Sequence, residues 1–139
     1  MNFLKDVQIF TLPNISDAQG YLVPFESSSV FKINIQRIFF VSSYKGAFRG
    51  KHAHKSLTQV VICVSGKCNV ICDDGHETKD FLLNKSSMAL KIPPGIWAEQ
   101  LSLEDNTVLA VMCDYPFDED DYIRDYKEFL MYRKNGRQD

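Results

Sequence analysis

From residue 7 to residue 113 the chain is cut into short apolar or alternating runs, each stopped by turn-forming residues. That punctuation confines it to an antiparallel β fold. The runs are 7–12, 21–25, 33–41, 59–64, 68–72, 78–83, 88–92 and 107–113. Between them stand Pro13-Asn14, Asp17 to Gly20, Ser65-Gly66, Asp73-Asp74-Gly75 and Pro93-Pro94-Gly95. The run 59–64 is dense in β-branched residues, as a buried strand should be. Asp-Asp-Gly after the run 68–72 is a hairpin signal, because Gly accepts the positive φ that such turns need. Strands this short and this evenly spaced predict an all-β sandwich or small barrel of jelly-roll type. The ending differs: the acidic run Asp118 to Asp121 precedes Tyr122, Ile123, Tyr126, Phe129 and Leu130 at helical spacing. Carboxylates in a first turn favour a helix start, and Arg133 and Lys134 suit its end. The expectation is one domain over 1–139, with a helix over 119–134 and a loose tail over 135–139.

Charge narrows the partners. Sixteen Lys and Arg against eighteen Asp and Glu leave a net charge of −2. A nucleic-acid binder would show a basic stripe, so none is expected as a partner. No run reaches the ~18 apolar residues of a membrane-spanning helix. The first ten residues carry Lys5 and Asp6 and no small-residue cleavage site, so they do not read as a secretory signal. A cytoplasmic location is expected, with Cys63, Cys68, Cys72 and Cys113 as reduced thiols. Their spacings lack the paired C-x-x-C of a zinc site, and the parity of Cys68, Val70 and Cys72 suits small core residues.

The chain has only three histidines. His76 follows the Asp-Asp-Gly turn and is expected in solvent without a role. His52 and His54 lie in Arg49-Gly50-Lys51-His52-Ala53-His54-Lys55. In a strand, residues two apart project to one side, so both imidazoles enter one space. Arg49, three residues before His52, is expected on the opposite face or at the strand's mouth. An H-x-H pair can begin a metal site, which needs further ligands. Two imidazoles can instead exchange protons with one substrate near neutral pH, most simply α to a carbonyl. Such chemistry wants a cation or donor for the oxyanion, for which Arg49, Lys51 and Gln59 are candidates.

The spacing Gly46, His52, His54, Gln59, Gly66 resembles the first motif of the cupin superfamily, with an amide where a ligating carboxylate stands. Pro93, Gly95 and Ala98 resemble its second motif, with alanine in place of the last histidine. Glutamine ligates poorly and alanine not at all, so neither metal nor cofactor is expected. The Arg49 to Lys55 motif, Asp73-Asp74-Gly75, Pro93 to Trp97, and Asp121-Tyr122-Ile123-Arg124-Asp125-Tyr126 together resemble the nucleotide-sugar 3,4-ketoisomerases. These are small cupins of deoxysugar biosynthesis.

That resemblance implies a dTDP-linked keto-deoxysugar as substrate, dTDP-4-keto-6-deoxyglucose, and its 3-keto isomer as product. A transaminase would then make an aminosugar for surface polysaccharide such as lipopolysaccharide O-antigen. It implies His52 and His54 as the catalytic pair, Arg49 on a diphosphate or sugar oxygen, and a homodimer with exchanged or paired N-terminal strands. His54 is taken as the base and His52 as the group that donates or relays, with the reverse assignment open. Gln59, Lys51, Tyr21, Trp97 and Gln100 complete the expected substrate-binding set. Trp97 could wall the sugar or pack in the core beside Pro94. Phe39 and Phe40 stand where relatives have tyrosine, so Tyr21 or Tyr44 would supply a phenol if one is needed. The alternatives are a nucleotide-sugar epimerase and a non-catalytic cupin that binds a sugar nucleotide.

Overall fold

The computed structural model describes residues 1–27 and 32–136. After a 3-10 turn at Leu4–Asp6, the strands are β1 (Gln8–Thr11), β2 (Ile15–Asp17), β3 (Gly20–Leu22), β4 (Arg37–Ser43) and β5 (Phe48–His54). They continue as β6 (Gln59–Ser65), β7 (Cys68–Asp73), β8 (Thr78–Leu83), β9 (Met88–Ile92), β10 (Trp97–Ser102) and β11 (Thr107–Cys113). A second 3-10 turn, Glu119–Asp121, leads into β12 (Tyr122–Ile123) and helix α1 (Tyr126–Gly136). Two five-stranded antiparallel sheets, ordered β1-β9-β6-β11-β4 and β12-β5-β10-β7-β8, face each other as a jelly roll. β2 and β3 form a separate hairpin.

The core lies between the sheets. Val61 and Cys63 of β6, Leu90 and Ile92 of β9, and Leu109, Val111 and Cys113 of β11 meet Cys68, Val70 and Cys72 of β7 and Phe81 and Leu83 of β8. Each strand contributes alternate residues, as a period of two requires. All four cysteines are buried there as free thiols. Burial raises Cys68 and Cys72 to about 12, so they stay protonated and unreactive. A second cluster covers the outer face of the first sheet, where Phe10, Leu12, Phe25 and Ile33 pack on Val60, Ile62, Ala89 and Met112.

The ending departs from a helix over 119–134. Asp118 caps the 3-10 turn by accepting from the Asp120 amide. Tyr122 and Ile123 are then captured as a strand on the free edge of β5, and the helix starts only at Tyr126. An available sheet edge has satisfied backbone groups that the spacing assigned to a helix. Asn135 and Gly136 close α1, and residues 137–139 lie outside the described residues. The helix seats Phe129 on Ala53, Trp97 and Ile123. Its buried Arg133 donates to the Gly95 carbonyl at 2.9 Å, and the Gly95 amide donates to the His54 carbonyl at 2.7 Å. The helix thus braces the backbone of the histidine strand through the Pro-Pro-Gly turn.

Candidate active site

β5 is not a regular strand. Pairing with β10 sets His52 opposite Ala98 and then Gly50 opposite Glu99, so Lys51 is an extra residue in the ladder. Gly50 and Lys51 carry φ of +82° and +59°, the left-handed values of a β-bulge. The extra residue restores parity across it. Arg49 pairs with Gln100 and His52 with Ala98, two residues apart on β10, so both belong to the inner face. Of the two places expected for Arg49, the opposite face does not hold and the strand's mouth does. Its Nε donates at 2.9 Å to Ser43 Oγ of β4, in the facing sheet, at the exposed mouth of the cleft.

His52 and His54 project together, with ring centroids 4.9 Å apart and edge to face. The buried His54 is held from both sides. Its Nδ1 lies 3.1 Å from Asp121 Oδ2. The Gln59 amide nitrogen lies 3.2 Å from its Nε2. A carboxylate can only accept, so the hydrogen sits on Nδ1 and Nε2 keeps a lone pair, towards which Gln59 turns its NH2. Asp121 is itself fixed by the backbone amides of Ser56 (2.7 Å) and Leu57 (3.3 Å). Burial lowers the His54 pKa to about 4; the neighbouring His52 adds to the fall, and Asp121 opposes it. Burial also lowers His52, opposed by the Gly50 backbone. Its buried Nδ1 has no partner with hydrogen-bond geometry among the described residues. Both imidazoles are therefore neutral at pH 7 and able to accept a proton.

Tyr122, paired with His54 across β5 and β12, lays its ring against both imidazoles, at 4.3 Å from His54 and 5.0 Å from His52. Its hydroxyl accepts from Arg37 Nη1 at 3.4 Å. The Arg37 guanidinium rests over Phe39 at 4.6 Å and Phe117 at 5.1 Å. On the outer side of the Tyr122 ring lies Arg124, at 4.1 Å, bound through two nitrogens to Glu119 at 2.6 and 2.9 Å. Asp121, Tyr122 and Arg37 were not among the expected site residues. The acidic run is thus more than a solvated helix cap.

The other expected residues are scattered. Gln100 is half-buried on the inner face of β10, opposite Arg49. Lys51, as the bulge residue, turns outward and sets its ammonium 5.5 Å over the Phe48 ring. Trp97 has the opposite parity to Ala98 and packs under α1 against Tyr126 and Phe129, so the core role replaces that of a sugar wall. Tyr21 is 64% exposed on the β2–β3 hairpin. It lines a separate cavity of about 470 Å³ with Asn14, Ser65, Gly66 and Ser87. Tyr44 is 80% exposed. His76 is exposed at its turn. Among the described residues no three His, Cys, Asp or Glu side chains are grouped to hold a metal ion.

A jelly roll of cupin type with two neutral imidazoles side by side on the inner face of β5, one tied to a carboxylate, defines a protein built for proton transfer. Residues 5–134 match the family model described as FdtA: WxcM-like, C-terminal. The chain is 34% identical over 126 residues to the TDP-4-oxo-6-deoxy-alpha-D-glucose-3,4-oxoisomerase of Aneurinibacillus thermoaerophilus, covering 90% of this chain and 91% of that protein. It is also similar to the sugar 3,4-ketoisomerase QdtA of Thermoanaerobacterium thermosaccharolyticum, solved with TDP. That match has a TM-score of 0.89 and 32% identity over 96% of this chain and 98% of the other. A histidine-to-asparagine variant of QdtA, solved with TDP-4-keto-6-deoxyglucose, matches with a TM-score of 0.89 and 31% identity over 96% and 97% of the two chains. The protein belongs to this FdtA-like family of TDP-sugar 3,4-ketoisomerases.

Proposed function

We propose that this chain isomerises dTDP-4-keto-6-deoxyglucose to the 3-keto sugar by proton transfer between C3 and C4, without metal. The observation that carries the reading is the His54 imidazole, neutral in the cleft, tied through Nδ1 to Asp121, and edge to face with His52. The C4 ketone makes the C3 hydrogen acidic. His54 Nε2, once substrate displaces the Gln59 amide, takes that proton, and the C3–H electrons form the C3=C4 bond of an enediolate. Asp121 fixes the tautomer and stabilises the imidazolium that forms. The C3 hydroxyl proton then passes to the C4 oxygen as C3=O forms, and C4 takes the proton that His54 received, relayed through the adjacent His52 so that both imidazoles end neutral. The related proteins named for this isomerisation support the substrate.

Arg49 at the cleft mouth suits a diphosphate or sugar oxygen, with Gln100 beside it on the same face. Gln59 and Ala98, at the positions of two cupin ligands, support metal-free chemistry. We further propose a homodimer, on the exposed apolar side chains of the β2–β3 hairpin and of the outer face of β4. A cytoplasmic location is supported by the four unbridged thiols, and no described helix is long and apolar enough to cross a membrane. The 3-keto product suits a transaminase that makes an aminosugar for surface polysaccharide.

The test is incubation with dTDP-4-keto-6-deoxyglucose in deuterium oxide, followed by NMR of the sugar. A 3-keto product with deuterium at C4 is expected. Exchange at C5 with inversion would indicate an epimerase, and no exchange at all would indicate a non-catalytic binder. Stoichiometric metal in the purified, active protein would overturn the metal-free mechanism.

A further inference from the structure

Removal of the C3 proton puts a negative charge on the C4 oxygen, and neither neutral imidazole can hold that charge while it moves protons. A donor aimed at the oxyanion is required, and beside buried side chains it is worth more than in solution. Three arginines approach the cleft. Arg124 is held by both Glu119 oxygens, and Arg49 by Ser43. Arg37, half-buried on the inner face of β4, has no carboxylate partner among the described residues. Its Nη1 hydrogen goes to the Tyr122 hydroxyl. Among the described residues that hydroxyl accepts this bond and donates none. Its own hydrogen is thus unspent, and a cation behind the oxygen strengthens it as a donor. The ring that carries it touches both imidazoles.

We propose that Tyr122 is a catalytic residue whose hydroxyl, polarised by Arg37 as its positioning residue, donates a hydrogen bond to the C4 oxygen as that oxygen becomes an enediolate. The inference rests on the ketoisomerase reading above. No net proton passes through the phenol: the C3 proton goes to histidine, C4 receives one from histidine, and Tyr122 supplies only the hydrogen bond. Tyr21 and Tyr44, the phenols expected from sequence, are exposed outside the cleft.

The experiment compares wild type with Tyr122→Phe, Arg37→Gln and Arg37→Lys on dTDP-4-keto-6-deoxyglucose, measuring kcat, KM and TDP affinity. Tyr122→Phe keeps the ring on both imidazoles and removes only the hydroxyl. It is expected to lower kcat by about 10²–10³-fold, as loss of one oxyanion donor does, with TDP affinity unchanged. Arg37→Gln should lower kcat without weakening TDP, Arg37→Lys should restore part of the loss, and adding Arg37→Gln to Tyr122→Phe should cost little more. Tyr122→Phe with kcat within about threefold of wild type overturns the proposal. Arg37→Gln that weakens TDP binding while kcat stands makes Arg37 a phosphate clamp and overturns its assigned role, even where Tyr122→Phe does not fold. A wild type that neither isomerises the sugar nor exchanges its hydrogens overturns the ketoisomerase reading, and the phenol's role with it. An active wild type with an unaffected Tyr122→Phe overturns the phenol alone.

Discussion

His54 is buried between a carboxylate and an amide, and its protonation links folding to catalysis. Its pKa falls from 6.5 to about 4 on folding. Between those values the unfolded chain binds more protons than the folded one, so stability rises with pH. This contribution is complete above pH 6.5 and is lost as pH falls towards 4. Chemical denaturation across that window should show the acid loss, and His54→Asn should reduce it. The same variant should abolish turnover while TDP still binds; normal turnover would refute His54 as the base. Asp121→Asn preserves shape but removes the charge that holds the Nδ1 hydrogen, so kcat should fall by about 10²–10⁴-fold with KM little changed. The histidine pair is legible in the sequence because H-x-H in a strand leaves one geometry. Asp121 is not, because it meets His54 from 67 residues away and sits in a run that a helix start explains equally well.

At the level of elements, the bulge in β5 decides what the cleft contains. Regular alternation places Arg49 away from His52, whereas Gly50 and Lys51 at positive φ bring both to the inner face. A Cβ on Gly50 would stand 3.0 Å from the Ala98 carbonyl oxygen and would share the left-handed conformation that L residues resist. Gly50→Ala should therefore cost about 1–2 kcal/mol in thermal or chemical unfolding. Deleting Lys51 should straighten the ladder, separate Arg49 from the histidine face and remove activity from a chain whose circular dichroism remains that of a folded β protein. Activity at the wild-type level after the deletion would show that the bulge does not set the site. Two elements of the histidine sheet escape the sequence reading for physical reasons. β10, central in the histidine sheet, is a weak alternation of Trp97, Ala98, Glu99, Gln100 and Leu101 after a double proline. β12 is two residues long and exists only because β5 offers an edge. Helix α1 has one buried apolar anchor, Phe129, beside the buried Arg133; Phe129→Ala should cost about 3–5 kcal/mol and loosen the brace on the Pro-Pro-Gly turn.

Across the whole molecule, a net charge of −2 gives no attractive field for a nucleotide diphosphate, so binding rests on local cations at the cleft. The apolar surface is equally uneven. On the first sheet, Phe10, Leu12, Phe25 and Ile33 cover the centre of the outer face, but on β4 Ile38 and Phe40 remain 54% and 69% exposed. The β2–β3 hairpin exposes Ile15 and Leu22, and a two-stranded hairpin is only marginally stable in water without support. Exposed apolar side chains grouped on one strand face or one hairpin commonly mark an interface. A second copy that covered these side chains would also support the hairpin, which is the physical case for the proposed homodimer. Two charges placed in that surface, Ile38→Glu with Phe40→Glu, should dissociate the dimer, seen as a halved mass by sedimentation or light scattering. Because dimerisation stabilises by mass action, the wild-type Tm should rise with protein concentration and that of the double variant should not. A wild type that sediments as a monomer, with a Tm independent of concentration, would show that β4 and the hairpin serve something other than a second copy.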